Sequence, residues 1–147
     1  GRRPWAELAP PSEMLDSLID AQLPFVRELA ETLPSVTIDR VEIDRRGDDI
    51  WKIDAWLVNE GFLPYPTHQG QRCKRPTPVA VELDGDDVEV LEGRARIVVG
   101  LLEGSGGFKK ATWIIKAPAG RRVTLRAQSF SAGGAVKDVT LGEGGGE

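Results

Sequence analysis

The run IWKIDAWLVNEGFLP, residues 50–64, constrains the fold of this chain more than any other stretch. Trp51, Ile53, Ala55 and Leu57 alternate with Lys52, Asp54, Trp56 and Val58, the period-two pattern of a strand that covers a core with one face. Asn59-Glu60-Gly61 then supplies residues that leave an extended conformation at little cost, and Pro64 and Pro66 remove donors that a continuing ladder would need. The segment reads as a central strand that ends in a stiff structural turn at Asn59, Gly61 and Pro64. A positive φ is expected at Gly61, a conformation that glycine adopts without a Cβ penalty.

Period two governs the rest of the chain from Val36 onward. Val36 and Ile38 share a face, but Val41 and Ile43 have the opposite parity, so an extra residue near Asp39-Arg40 must be absorbed by a bulge or by a strand that changes sheets. Gly47-Asp48-Asp49 turns the chain into the central strand. Further strands are predicted over 79–83, 88–90, 95–101, 111–115, 123–127 and 136–141, with a proline-rich loop over 62–78. The fold class is therefore mainly β: an immunoglobulin-like antiparallel β-sandwich of 7–8 strands, preceded by one long N-terminal α-helix. A chain of 147 residues with 40% hydrophobic content can bury such a core without a disulfide or a metal. The lone Cys73 closes no internal disulfide and leaves the redox compartment open.

The helix is predicted over 12–33, with Ser12 as its cap. Its apolar side chains, among them Met14, Leu15, Leu18, Leu23, Val26 and Leu29, fall on one half of the surface, and Glu13, Asp16, Asp20, Arg27, Glu28 and Glu31 on the other. Pro24 lies on the polar side and the apolar phase continues across it, which reads as one bent helix. The apolar arc spans about 180°, more than a single contact needs. Met14, Leu18, Gln22, Leu23 and Ala30 on that arc, with Trp56 from the central strand, form the candidate interdomain surface. The organisation expected is an extended lead-in over 1–11, the helix over 12–33, the sandwich over 34–141 and a disordered glycine-rich tail over 142–147.

No catalytic, cofactor-binding or metal-binding residue is expected. His68 is the only histidine, whereas catalytic zinc sites usually take two or more, and no serine lies in a nucleophile-elbow motif around it. Gly104-Ser105-Gly106-Gly107 joins two strands and lacks the helix N-terminus of a phosphate cradle. Cys73 lies five residues from His68 in the same loop and reads as a spectator thiol. Trp51 and Trp113 are in phase with core positions, and only Trp5 and Trp56 are candidates for exposure. A net charge of −4, well mixed, recruits neither nucleic acid nor an anionic membrane in bulk. The longest apolar run, 97–102, is far short of the roughly 20 residues that span a bilayer.

The order Pro10-Pro11-x-Glu13, an apolar helix closing on Leu33-Pro34, Val41-Glu42, then Val58-Asn59-x-Gly61-Phe62-Leu63-Pro64 with Thr67, Arg75 and Pro78 resembles the C-terminal region of bacterial zinc carboxypeptidases of the carboxypeptidase A type. Gly100 with Leu102, the loop over 104–107 and Trp113 fit the same pattern. The resemblance implies a non-catalytic accessory sandwich that supports or orients a catalytic domain, that domain being its partner and the holder of zinc. The family's zinc ligands, general base and substrate-binding arginine match no position here. Weak self-association through the helix is a second expectation. The alternative is a free-standing adhesion or ligand-binding module that makes contact through the loop over 62–78.

Overall fold

The computed structural model describes residues 11–73 and 78–142, divided between two compact units, Gly1–Thr32 and Leu33–Glu147. The expected lead-in lies outside the described residues except for Pro11, as does the expected tail except for Gly142; Lys74 and Arg75 lie outside them too.

In the first unit a single helix, α1, runs over Ser12–Glu31 and continues through Pro24. Ser12 begins the helix instead of capping it. Pro11 holds the cap position with no side-chain hydrogen bond, and its carbonyl accepts from the Met14 N–H at 2.9 Å. The helix stops two residues before the expected end because Pro34 biases Leu33 away from helical angles. Thr32 closes the end, its hydroxyl donating to the Leu29 carbonyl at 2.7 Å. No residue of α1 is buried.

In the second unit the strands β1 (Val36–Gly47), β2 (Ile50–Asn59), β3 (Val79–Asp84), β4 (Glu89–Glu92), β5 (Arg96–Val99), β6 (Gly107–Lys116), β7 (Arg122–Gln128) and β8 (Gly134–Thr140) form two four-stranded sheets. Their orders are β1-β2-β6-β4 and β5-β3-β7-β8, and every pairing is antiparallel. This is the expected mainly-β sandwich of eight strands. A short helix, α2 (His68–Cys73), occupies part of the region read as an irregular loop. Six residues carry too little periodicity to announce a helix, but Thr67 caps it, accepting from the Gly70 N–H at 3.2 Å.

The core follows from alternation. Trp51, Ile53, Ala55 and Leu57 of β2 face inward with Ala111, Trp113 and Ile115 of β6, opposite Val79, Val81 and Leu83 of β3 and Val123, Leu125 and Ala127 of β7. Both buried indoles find acceptors: Trp51 Nε1 donates to the Ala117 carbonyl and Trp113 Nε1 to the Arg94 carbonyl, each at 2.9 Å. The parity change in β1 is a bulge, the pairing with β2 slipping between Ile38 and Arg40. Lys137 of β8 reaches the carbonyl of the bulged Asp39 at 2.7 Å, tying the two sheets together at that edge.

Candidate functional site

Two polar constellations stand out on the sandwich, one at the end of β2 and one on its outer face. At the end, Asn59 continues the inward parity of β2 and is completely buried. Its Oδ1 accepts from the Ser35 N–H at 3.0 Å and from the Gly61 N–H at 3.2 Å, while Nδ2 donates to the Leu63 carbonyl at 2.8 Å. Its own carbonyl accepts from the Gly106 N–H at 2.9 Å, and the Gly61 carbonyl from the Ser105 N–H at 2.7 Å. Asn59 thus clasps the entry to β1 and the turn after β2 through its side-chain amide, and the loop before β6 through its own carbonyl. The turn residues named from the sequence are brought together here, Pro64 following the carbonyl that Asn59 holds.

Gly61 is required for a reason other than the expected one. Its φ is not in the left-handed region; instead a Cβ there would collide with the Leu33 carbonyl oxygen and lie 2.8 Å from the Pro34 Cα. The close approach of another backbone segment is a tertiary fact that turn chemistry does not contain. Gly104 plays the matching part in the loop that crosses from one sheet to the other before β6, where a Cβ would strike the Phe62 carbonyl.

On the outer face Asp54 sits mid-strand, 6% exposed. Lys52 Nζ approaches it at 2.7 Å, Lys110 Nζ at 3.3 Å, and the Thr112 hydroxyl donates to Oδ1 at 2.5 Å from directly across the β2–β6 pair. Burial works to raise the Asp54 pKa, but the hydrogen bonds from Lys52, Thr112 and Lys110, with the charge of Lys110, outweigh it and hold the carboxyl below its ordinary value of 3.8. Asp54 is therefore an ionised structural acceptor at neutral pH, and both lysines are engaged on it. The only sequence signal for this cluster was Lys52-x-Asp54 on one strand face; the partners on β6 came from register.

A folded pKa below the unfolded one adds stability that is complete above about 3.8 and drains away as the pH falls through the folded value. Asp54→Asn is expected to cost about 1–3 kcal/mol at neutral pH and to lose less than the parent on acidification below pH 4. Urea midpoints at neutral pH and near pH 3 check this; parallel shifts in the two proteins would contradict it.

Next to Asp54, the bulge delivers Arg40 opposite Trp56, and its guanidinium lies 4.2 Å from the ring centroid. Lys110 Nζ stands 5.5 Å from the same centroid, and Glu42 pairs with Arg40 at 3.4 Å. Asp39, Arg40, Trp56, Val58, Gly106 and Phe108 line an open depression of about 460 Å³. Of the candidate interdomain residues, Trp56 belongs to this partly exposed sheet face, whereas Met14, Leu18, Gln22, Leu23 and Ala30 belong to α1 and are all exposed. His68 and Cys73 lie on α2 about 140° apart round the helix axis, and Cys73 Sγ accepts from Gln69 at 3.4 Å. Among the described residues no group of three or more His, Cys, Asp or Glu is placed to hold a metal ion, and no helix is long and apolar enough to cross a membrane.

The two antiparallel sheets and this internally bonded turn define a mainly-β sandwich domain. A family model described as "Domain of unknown function (DUF8731)" matches residues 35–140, and the chain belongs to that family. Among solved structures it is similar to the GAE domain of GGA2p from Saccharomyces cerevisiae, at 12% identity and a TM-score of 0.44, over 74% of this chain and 96% of that one. No curated protein matches. Neither the family description nor the yeast domain refers to a zinc carboxypeptidase.

Proposed function

We propose that this chain is a non-catalytic accessory domain in which the sandwich is a rigid body and α1 joins it to a neighbouring domain. The observation that carries the reading is α1 itself: a 20-residue amphipathic helix with no buried residue, on which Leu23, Phe25 and Leu29 are 59%, 63% and 56% exposed. Apolar area of this extent on one helix is of the kind that drives association. The polar groups of Asn59 and Asp54 are engaged within the sandwich, which favours a structural over a chemical role for them.

The sequence resemblance supplies the neighbour: the catalytic domain of a zinc carboxypeptidase-like protein, which this chain supports or orients in proteolysis. Zinc and peptide hydrolysis belong to that domain, and this chain takes no cofactor of its own. Without its neighbour, α1 associates weakly with a second copy. Sedimentation equilibrium up to millimolar concentration tests the reading. Concentration-dependent association is expected, and Leu23→Glu or Ala30→Glu returns the chain to monomer with an unchanged thermal midpoint. A strictly monomeric parent, with both charged variants unfolded, would refute it. The carboxypeptidase assignment is tested separately by the sequence encoded upstream, where a domain with His-x-x-Glu is expected and any other kind of domain removes it.

A further inference from the structure

The polar half of α1 is not neutral. Glu13, Asp16, Asp20, Glu28 and Glu31 face a single basic residue, Arg27, and its guanidinium is already bound to Glu31 at 3.2 Å. At 100° per residue Asp16 borders the apolar arc on the side of Leu23, and Glu28 lies beyond the opposite margin near Met14. Both flanks of the arc are therefore negative. Gln22 lies in the middle of the arc, exposed, with an amide that needs a polar partner once covered.

These features discriminate among occupants. A second α1 would bring acid against acid along its margins, and an anionic bilayer would repel the whole polar half. A complementary site offers an apolar groove with positive rims and a hydrogen-bonding group part-way along its floor. Resting on the reading of α1 as the joining element, we infer that its partner is a folded protein surface with an apolar groove edged by lysines and arginines. The acidic flanks set orientation and partner choice, and the arc supplies the contact area.

The probes are two amphipathic helical peptides with identical leucine faces, one with lysine and one with glutamate on the margins, together with phosphatidylcholine vesicles. Each is titrated against the full chain at about 50 mM and about 500 mM salt, where screening differs severalfold. The Leu/Lys peptide is expected to bind, to weaken at least about tenfold at the higher salt, and to be lost with Leu23→Glu. The Asp16→Lys, Glu28→Lys double variant, checked for helicity by circular dichroism, is expected to prefer the Leu/Glu peptide. Self-association has the opposite salt dependence, strengthening as acid–acid repulsion is screened.

Equal binding of both peptides would overturn the charge inference while leaving α1 as a joining element. Leu/Lys binding retained in Leu23→Glu would also overturn it, since bulk charge and not the arc would then be responsible. A preference for vesicles, or self-association that outcompetes the Leu/Lys peptide, would replace the basic-rimmed partner with a bilayer or a second copy. Failure to bind any probe, with no self-association, would bring down the joining role as well.

Discussion

Asn59→Ala is expected to lower the unfolding free energy by about 3 kcal/mol, the largest loss of any polar substitution in the sandwich. The side chain is fully buried, and its removal strands the N–H groups of Ser35 and Gly61 and the carbonyl of Leu63. Each stranded group costs about 1–3 kcal/mol where water cannot reach it, and partial hydration of the new space returns some of the loss. Asn59→Asp separates the roles of the two ends of the amide. Its carboxylate keeps an acceptor for the two N–H groups but has no donor for Leu63, so it is expected to fall between the parent and the alanine variant at neutral pH. Chemical denaturation followed by tryptophan fluorescence measures both, and an alanine variant within about 0.5 kcal/mol of the parent would show that the clasp is dispensable.

Gly61→Val is expected to cost a similar amount, about 3 kcal/mol, by a steric route. The Leu33 carbonyl and the Pro34 backbone occupy the space of the new side chain, and neither is a flexible tip that swings aside. The entry to β1 must retreat, breaking the Ser35 N–H bond to Asn59 on the way. The two substitutions therefore damage one device, and their effects are expected to be less than additive. Gly61→Ala is expected to be penalised as well, because the collision begins at Cβ, and the collision, unlike a left-handed requirement, couples to Asn59. A double-mutant cycle between positions 59 and 61 that closes to zero would exclude the shared device.

The expected β-sandwich was legible because its signals are local and redundant. Period two over β2 separated the internal Trp51 from Trp56, and the mismatch between Val36-Ile38 and Val41-Ile43 placed an irregularity near Asp39-Arg40, which the structure shows to be a bulge within one strand. Helix α1 was legible through its arc, and Pro24 did not divide it. Helix α2 was not, since a single turn and a half between prolines has no face to display. The candidate surface was legible in composition only. Leu18 and Leu23 announced an apolar face, but nothing in the order of residues told that Arg40 would stack on Trp56, because that contact depends on where the bulge falls against the register of β2.

What the chain determines by itself is the alternation, the turn residues and the charge of each helix face, all set by neighbours within a few positions. Asn59, Gly61 and Pro64 were recognisable as a turn on those grounds alone. Which carbonyl and which N–H groups Asn59 binds, and why Gly61 tolerates no side chain, were decided only when residues 33–35 and 104–106 arrived against the end of β2. The reason is physical: a hydrogen bond or a backbone collision requires two segments within about 3 Å, and here that distance is created when β1 and β6 pair on either side of β2, setting Val36 and Gly107 opposite Asn59.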